Sequence, residues 1–423
     1  MKPNIKQIAP WILYDFANTP FPTIVLTFVF STFFTKFIAK DQLLGTSLWG
    51  AGLAISGIII GIFSPILGAI ADQSGRKKPW IFAFALTVIL SSFALAFTPP
   101  ELNSIYKILM IVMIGNCALN FAQVFYNSLL VQVAPTDMIG RISGIGWGCS
   151  YFGGLICLVI TLVFLIPKND DPQLLAWGVK QSLILVGLWF LVFSMPLFLF
   201  FQEKKGKNLN VDVVRSGIKQ LIDTIKSIKE YKMLLGFLFA FFFYSDGITT
   251  LLNFGGIYAA TVLGFSFNDV MIFAVSINVV AGIGAIIFGL IDDKIGPAKL
   301  IIFCIAIIAL CCLMIISFEK ALIFWIFGLI LGIFIGPLQS ASRSMLAQIV
   351  PKEKITEMFG IYALTGKLST FIGPLIVSLI TYFFKSNSVG MYVVLVMLTL
   401  GLILMLQYFD YKFKKFWLFF WRK

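Results

Sequence analysis

Four side-chain amides recur within one apolar stretch of this 423-residue chain. They are Asn116, Asn120, Gln123 and Asn127, at spacings of four, three and four residues. In an α-helix these spacings place all four amides on one face. An amide donates and accepts hydrogen bonds, so such a stripe can bind a polar solute; the alternative is that it only joins neighbouring helices. We interpret the stripe as a candidate binding surface.

Four ionisable residues also lie inside apolar stretches: Asp15, Asp246, Arg343 and Lys367. If these stretches cross a bilayer, each charge at its centre costs about 2.5–3.5 kcal/mol and needs a partner. Asp246 can pair with Lys367, and Asp15 with Arg343, as structural ion pairs. Alternatively, one of the carboxylates takes up a proton, and one of the cations binds a carboxylate or phosphate of a solute.

Three more polar residues lie within seven residues of one of these charges: Asn18, Asn253 and Gln339. The stretch that contains Asn18 is also interrupted by Pro20 and Pro22. Prolines inside an apolar helix free backbone carbonyl groups that can bind ligands, although they also serve simply as kinks. We add the three polar residues to the candidate binding residues.

The residue types exclude several kinds of chemistry. The chain contains no histidine, which removes the commonest metal ligand and any Ser-His-Asp or Cys-His catalysis. Its six cysteines lie in apolar stretches without the spacing of metal ligands, and we interpret them as buried apolar residues. The remaining catalytic pair, Asp15 with Asp246, is predicted to lie at two different depths. We therefore predict no metal, no cofactor and no enzymatic activity.

Long apolar stretches position these residues. Hydrophobic residues make up 59% of the chain and charged residues 12%, about half the charged share of a typical soluble domain. Such a surface would aggregate in water, so it must face lipid. Twelve stretches reach the roughly 20 residues that a membrane-spanning helix needs, and none alternates as a barrel strand does. The predicted fold is an all-α polytopic membrane protein with twelve transmembrane helices. The predicted spans, numbered 1 to 12, cover 11–37, 48–71, 79–98, 104–134, 142–166, 180–201, 233–262, 267–291, 298–317, 320–349, 356–383 and 388–409.

Basic residues predict the orientation of the spans. Of the 32 Lys and Arg residues, 23 fall on the side of the membrane where the chain begins, seven on the opposite side, and Arg343 and Lys367 inside spans. Because cytoplasmic loops are enriched in Lys and Arg, both termini are predicted to be cytoplasmic. The net charge of +13 then faces anionic lipid rather than nucleic acid.

Two segments are predicted to lie at the cytoplasmic membrane surface. In the loop 202–232, Val214, Ile218, Leu221, Ile225 and Ile228 recur on one face of an amphipathic helix. The basic and aromatic tail 410–423 suits the same interface. Around these segments we predict an N-terminal six-helix half over 1–201 and a C-terminal half over 233–409.

Both halves carry the same cytoplasmic turn. Gly68, Asp72 and Gly75 are followed by Arg76 and Lys77. Their glycines permit a tight turn and close helix approach, Asp72 can neutralise a helix N-terminus, and the two cations can pair with acids. We interpret the turn as a latch that breaks and reforms. The matched residues, 221 positions later, are Gly289, Asp293 and Gly296.

A second set of matches has an offset of 216 residues. It pairs Gln123 with Gln339, Ser128 with Ser344, Gln132 with Gln348, Pro135 with Pro351, and Gly144 with Gly360. Two offsets in the right order indicate a duplicated six-helix unit. Parallel six-helix repeats with this turn resemble the major facilitator superfamily (MFS). The resemblance implies that spans 1, 4, 7 and 10 line a central cavity, and these are the spans that carry most of the candidate residues.

Several motifs resemble the vacuolar-effluxer-like branch of this superfamily. That branch is named for fungal proteins that release amino acids from the vacuole during autophagy, and it has many bacterial members. The resemblance covers most of the chain and implies transport. Its motifs are Tyr14-Asp15-Phe16-Ala17-Asn18, Tyr244-x-Asp246-Gly247, Gly255-Gly256-Ile257-Tyr258, Gln339-x-x-x-Arg343-Ser344, Pro351, Phe359-Gly360-x-Tyr362, Gly366-Lys367 and Gly373-Pro374.

The expected function is secondary active transport of a small polar or zwitterionic, amino-acid-like solute by alternating access, coupled to protons. Proton-coupled export of drugs or other metabolites is the alternative. It requires an apolar, aromatic cavity, and the 45 Phe residues of the chain are compatible with one. A membrane receptor would need a signalling domain that the sequence lacks. We expect a monomer in the bacterial inner membrane whose partners are the solute and the lipid bilayer.

Overall fold

The computed structural model describes residues 4–39, 41–167, 171–203, 206–385 and 387–421, and only the backbone at 228, 267, 268, 371, 387 and 408–421. In these residues, twelve helical stretches are long and apolar enough to cross a membrane. They confirm the twelve predicted spans, with ends that differ by several residues. They run over Ile5–Ile38, Gln42–Ser74, Lys78–Phe97, Leu102–Val133, Ile139–Leu165, Pro172–Phe200, Lys232–Thr261, Asp269–Ile295, Pro297–Phe318, Ala321–Ile349, Lys352–Phe384 and Ser388–Gln407.

The helix of span 12 continues beyond the apolar stretch. It runs over Asn387–Trp421, so the backbone of the predicted tail is helical as far as Trp421. The tail's side chains, and all of residues 422 and 423, lie outside the described part of the chain. The placement of the tail at the membrane surface stays a prediction.

Local sequence explains several helix ends. Asp41 and Asp171 cap the first turns of spans 2 and 6 by accepting backbone N–H groups, as short polar side chains do at helix starts. Span 2 ends at Gly75, whose φ is +67°, and the helix of span 8 ends before Gly296, whose φ is +86°. Residues with a side chain rarely adopt such angles, so glycine at the turn ends each helix.

Span 1 is a broken helix, as its prolines predict. Pro20 and Pro22 have no N–H to donate to the preceding turn. The backbone widens into π-type turns from this point onward. The span therefore consists of an α-helix over Ile5–Asn18, π-type turns over Phe21–Phe28, a short α-helix over Phe30–Phe33 and π-type turns over Phe34–Ile38.

Contacts divide the chain into two compact units. The first contains Met1–Pro135, Cys149–Ile218 and Lys354–Ala363, and the second contains Thr136–Gly148, Lys219–Glu353 and Leu364–Lys423. The start of span 5 thus belongs to the second unit, and the start of span 11 to the first. The division at 201 and 233 into two sequence halves stays a prediction.

Helix packing repeats between the units. In the first unit, span 1 packs on span 6, span 2 on span 4, and span 3 on spans 4 and 6. In the second unit, span 7 packs on span 12, span 8 on span 10, and span 9 on spans 10 and 12. Each pair in the second unit is a pair of the first with six added to both numbers, in agreement with the internal sequence repeat.

The predicted amphipathic helix lies over Val211–Lys226. Its buried side includes Val213 and Gly217, and a Cβ added at Gly217 would lie 2.7 Å from the Ile70 Cα of span 2. Ile218 and Ile225, from the predicted apolar face, are exposed. Small residues at the contact therefore hold the helix against span 2, and part of the apolar face points away from it.

Candidate functional site

The four amides of span 4 are joined in pairs along the helix. Asn120 donates its side-chain N–H to the backbone and side-chain oxygens of Asn116, at 2.8 and 3.0 Å. Gln123 donates to the Asn127 Oδ1 at 3.3 Å. Both bonds link residues four apart, so the amides share a face as their spacing predicts.

Asn18 joins this set from span 1. Its Nδ2 donates to the Gln123 Oε1, and it is the last residue before the helix breaks at Pro20. The side chain is 9% exposed, and its Oδ1 has no hydrogen-bond partner among the described residues. A buried acceptor without a partner is costly, so this oxygen is an open hydrogen-bonding position beside the bonded amides of Gln123 and Asn127.

A pair of hydroxyl groups extends the polar set, and of the two residues only Ser150 was not predicted from the sequence. The Thr19 and Ser150 hydroxyls are hydrogen-bonded to each other. A Cβ added at Gly154 would lie 2.7 Å from the Thr19 Cγ2. The glycine therefore lets span 5 approach the break in span 1. The small residues of span 5 indicate a close helix contact in the sequence. They do not indicate the partner, because Thr19 in span 1 is more than 100 residues away.

An aromatic cluster fixes Asp15. The carboxylate belongs to the first helical piece of span 1 and is 2% exposed. Its neighbour Tyr14 stacks on Tyr126 of span 4, with ring centroids 4.9 Å apart. The Trp11 Nε1 donates to the Tyr126 backbone oxygen at 3.2 Å, and the Tyr126 hydroxyl donates to the Trp11 backbone oxygen at 2.9 Å. These reciprocal bonds fix the first helical piece of span 1, which carries Asp15, against span 4.

Asp246 of span 7 bonds to the backbone of span 11. Its Oδ1 accepts the Gly373 N–H at 2.9 Å, whereas its Oδ2 and the Thr250 hydroxyl oxygen, both buried, have no hydrogen-bond partner among the described residues. A Cβ added at Gly373 would lie 2.6 Å from the Asp246 Oδ1 and would overlap the Thr250 hydroxyl. The ion pair of Asp246 with Lys367, one of the two alternatives from the sequence, is not found in the described residues, because the carboxylate faces the Gly373 backbone instead.

The remaining candidates of the second half differ in exposure. Asn253 is exposed, while Gln339 and Lys367 are half-buried. Their assignment to a solute site stays a prediction.

Arg343 of span 10 is tied to the start of span 5. Its Nε donates to the Ser143 hydroxyl at 3.0 Å, and its Nη2 donates to the Ser143 backbone oxygen at 2.7 Å. The guanidinium carbon lies 5.7 Å from the centre of the Trp147 ring, within the range of a cation–π contact. The predicted pairing of Arg343 with Asp15 stays a prediction.

The first predicted latch caps a helix, as its physics suggested. The Asp72 carboxylate accepts the backbone N–H groups of Thr356, at 2.9 Å, and Glu357, at 2.8 Å. These residues form the first turn of the span 11 helix, which begins at Ile355. A Cβ added at Gly68 would collide with the Thr356 backbone oxygen. The motif glycine therefore allows the close approach that lets Asp72 reach the helix end.

The two latch cations have different surroundings. The Lys77 ammonium lies 4.0 Å from the Asp72 Oδ1. Burial lowers the pKa of Lys77 from 10.5 to about 8, and the carboxylates of Asp72 and Glu203 partly oppose that shift. Arg76, which we expected to pair with an acid, instead donates to the Asn208 Oδ1 at 3.0 Å. The segment after span 6 thus occupies the place expected for an acidic partner.

Glu203 is a functional candidate that the sequence analysis missed. Its carboxylate accepts the backbone N–H groups of Lys77 and Lys78, where the helix of span 3 begins. An acid at a helix start stabilises the unpaired N–H groups and the helix dipole. The only sequence signal was an acid beside several lysines, which reads equally well as a solvated loop.

The second latch repeats the first. Asp293 of span 8 accepts the Arg141 backbone N–H at 3.1 Å, and the Arg141 Nε lies 3.5 Å from its Oδ2. The span 5 helix begins at Ile139, so Asp293 caps its first turn. A Cβ added at Gly144 would lie 2.7 Å from the Gly289 Cα. A glycine pair again permits the contact.

The latches are related by the sequence repeat. Asp72 and Asp293 are 221 residues apart, whereas the helix starts that they cap match at the offset of 216. In each latch, the acid belongs to the second span of one half and caps the fifth span of the other half. Each latch therefore joins the two sequence halves, in the first unit through span 11 and in the second through span 5.

Comparison with known proteins identifies the family. Residues 42–412 match the family described as vacuole effluxer Atg22-like. The chain is 29% identical to the uncharacterised MFS-type transporter YxiO of Bacillus subtilis (strain 168), over 96% of this chain and 95% of that protein. It is 25% identical to autophagy-related protein 22 of Yarrowia lipolytica (strain CLIB 122 / E 150), over 64% of this chain and 51% of that protein.

Solved structures show the same fold. FucP in the outward conformation matches with a TM-score of 0.75 at 14% identity, over 95% of this chain and 97% of FucP. The proton:xylose symporter XylE matches with a TM-score of 0.73 at 15% identity, over 95% of this chain and 94% of that chain. Both are major facilitator structures. The chain thus belongs to the vacuole effluxer Atg22-like family, and it is a multi-pass MFS-type transporter rather than an enzyme.

Proposed function

We propose that this transporter moves a small polar or zwitterionic solute, of amino-acid size and chemistry, by alternating access coupled to protons. The observation that carries the proposal is the open acceptor at the buried Asn18 Oδ1, beside the amides that share one face of span 4. A hydrogen bond from a charged donor is worth about 1.5–3 kcal/mol. The ammonium group of a zwitterion is such a donor, and the amides of span 4 supply further acceptors. The set comprises Asn18, Asn116, Asn120, Gln123 and Asn127.

Candidate groups for a solute carboxylate belong to the second half. They are the cations Lys367 and Arg343 and the amides Asn253 and Gln339. Because Arg343 already bonds to Ser143, a solute carboxylate at Arg343 would compete with the contact between spans 10 and 5. Binding there would thus be linked to the release of span 5.

Asp246 and Asp15 are the proposed carriers of the coupling proton. The Asp246 Oδ2 is buried without a hydrogen-bond partner in the described residues, and an ionised carboxylate in that position is costly. A proton on Asp246 removes this cost and lets the group donate a hydrogen bond. Loss of the proton would favour a state in which water or solute reaches the carboxylate.

The two latches are the proposed moving contacts. They comprise Gly68, Asp72, Gly75, Arg76 and Lys77 in the first unit, and Gly289, Asp293 and Gly296 in the second. Both belong to the side of the membrane on which the chain begins. We place this side in the cytoplasm of a bacterium, and the protein as a monomer in the plasma membrane. The loop charges and the similarity to a Bacillus subtilis protein support this placement.

A thermal-unfolding screen of the purified transporter identifies the solute, since a ligand stabilises the folded state that it binds. Amino acids, small peptides, nucleosides and apolar drugs are the panel. Stabilisation by an amino acid supports the proposal. Stabilisation by apolar drugs alone favours drug export.

Asp246→Asn then tests proton coupling. In proteoliposomes with an imposed pH gradient, this variant should lose pH-driven uptake while it keeps solute exchange without a gradient. Asp171→Asn, in the exposed cap of span 6, is the matched control and should behave as the unmodified protein. Full pH-driven uptake by the Asp246→Asn protein would remove Asp246 from the coupling role.

A further inference from the structure

Asp292 is a buried acid that the proposed mechanism has not used. It precedes the latch residue Asp293 in span 8 and is 1% exposed. The Ser344 hydroxyl lies beside the carboxylate, but neither carboxylate oxygen forms a well-aligned hydrogen bond among the described residues, and the ion pairs found in these residues do not include Asp292. Taking a carboxylate out of water without a partner costs several kcal/mol. An acid in this position therefore calls for an explanation.

The internal repeat shows what Asp292 replaces. At the offset of 221, its counterpart beside Asp72 is Ala71. At the offset of 216, the counterpart of Thr356 is Gly140. The first latch thus has Thr356 on the capped helix and Ala71 on the capping span. The second latch has Gly140 on the capped helix and Asp292 on the capping span.

Packing supports equivalent positions for the side chains of Asp292 in the second latch and Thr356 in the first. A Cβ added at Gly140 would lie 2.6 Å from the Cβ, Cγ and Oδ2 atoms of Asp292. In the first latch, the Thr356 hydroxyl donates to the Ser128 hydroxyl at 3.2 Å. The counterpart of Ser128 is Ser344, which lies beside Asp292. Asp292 therefore takes the place of a hydroxyl donor next to a serine.

The charge of Asp292 decides whether it can replace that hydroxyl. A protonated carboxyl has an O–H that can donate to Ser344, as Thr356 donates to Ser128. An ionised carboxylate can only accept from the Ser344 hydroxyl, which leaves a buried charge without a cation and beside a second acid, Asp293. The contact of span 8 with the start of span 5 is thus favoured when Asp292 carries a proton.

Within the described ranges of the chain, no cation forms an ion pair with Asp292. The one basic group of the latch, Arg141, lies 3.5 Å from the neighbouring Asp293. From span 10, Arg343 directs its Nε and Nη2 to Ser143. The titratable and polar groups around Asp292 and Asp293 are Asp137 and Arg141 at the start of span 5, Cys304 of span 9 and Ser344 of span 10.

We propose that Asp292 is a proton-binding site that holds span 5 against spans 8 and 10 when it is protonated and releases it when it is ionised. The proton comes from water on the side of the membrane where the chain begins and returns there when the latch opens. The proposal rests on the proposed function only in that alternating access requires this latch to open. It adds a third titrating group to Asp15 and Asp246, and this group lies in a different part of the second unit from Asp246.

Hydrogen–deuterium exchange of the purified transporter without solute tests this directly. Backbone exchange is measured for the start of span 5 at pH 5.5 and 8.5, after correction for the pH dependence of chemical exchange. In the unmodified protein, we expect exchange about tenfold faster at the higher pH. Asp292→Asn, which cannot ionise, should be protected equally at both values.

A transplant of the first latch gives an independent variant. Asp292→Ala combined with Gly140→Thr restores the residue types of Ala71 and Thr356, and it should be protected at both pH values. Asp293→Asn weakens the cap itself, so its pH dependence should remain while protection falls at both values. Protection that is independent of pH in the unmodified protein, or unchanged pH dependence in Asp292→Asn, would overturn the proposal. Neither readout uses solute, so failure here is distinct from failure of solute transport.

Discussion

The Asp72 carboxylate of span 2 accepts the backbone N–H of Glu357 in span 11 at 2.8 Å. The two residues are 285 positions apart, and the bond caps the first turn of the span 11 helix. The residue directly before this helix is Lys354, which cannot accept a hydrogen bond from the first turn with its side chain. An acid at a helix start pairs with free N–H groups and with the positive end of the helix dipole. Span 11 thus depends on span 2 for its cap.

Removal of this cap should destabilise the transporter. We expect Asp72→Ala to lower the free energy of unfolding by about 1–2 kcal/mol, the usual loss for a helix cap. It should also leave the buried Lys77 without its nearest carboxylate. Asp72→Asn keeps an acceptor oxygen and should lose less. Thermal unfolding in detergent measures the difference, with Asp171→Ala as the control, because that cap is exposed.

The twelve spans could be predicted because each apolar stretch has one physical solution. Backbone polar groups in lipid must bond within the segment, which selects a helix of about 20 residues. The prolines at 20 and 22 similarly predict the break in span 1. The glycines and acids of the latches also predict their local roles, since a tight turn and a cap require those residue types.

The partners of the latch and site residues could not be predicted in the same way. Asp246 was expected to meet Lys367, yet it bonds to the Gly373 N–H, because the missing side chain of Gly373 leaves room for the carboxylate. Arg76 was expected to meet an acid, yet it bonds to Asn208. The spacing of residues along one helix predicts which face each residue occupies. The partners of these residues depend instead on which other helices approach that face closely.

Asn18 should contribute to solute affinity through its open Oδ1. If a solute ammonium donates to this oxygen, Asn18→Ala should weaken binding about tenfold or more, as expected for the loss of a hydrogen bond to a charged group. Asn18→Asp keeps an acceptor and should bind a cationic group at least as well. Asn278→Ala removes an amide that bonds within span 8 and should leave affinity unchanged. Equal affinity in all three variants would place the solute elsewhere.

Gly373 should be intolerant of even one added carbon. A Cβ there would lie 2.6 Å from the Asp246 Oδ1 and closer still to the Thr250 hydroxyl. We expect Gly373→Ala to cost about 1–3 kcal/mol of stability, as overpacking does, and to reduce uptake by displacing Asp246. Adding Thr250→Ala removes the closest atom and should recover part of the stability. Gly366→Ala is the control in the same span, since its Cβ would meet Phe241 at an ordinary 3.5 Å.

Lys77 should make the stability of the latch depend on pH. Its pKa is about 8 in the folded protein because burial disfavours the charged form, while an exposed lysine titrates near pH 10.4. Between these values the unfolded chain binds more protons than the folded one, so stability rises as pH increases from about 8 to 10. Below pH 8 the buried ammonium carries its full cost. In thermal unfolding, the stability of Lys77→Met should not show this increase. The difference in stability between the variant and the unmodified protein should therefore become smaller as pH rises. A parallel pH dependence in both proteins would show that Lys77 is not buried as a cation.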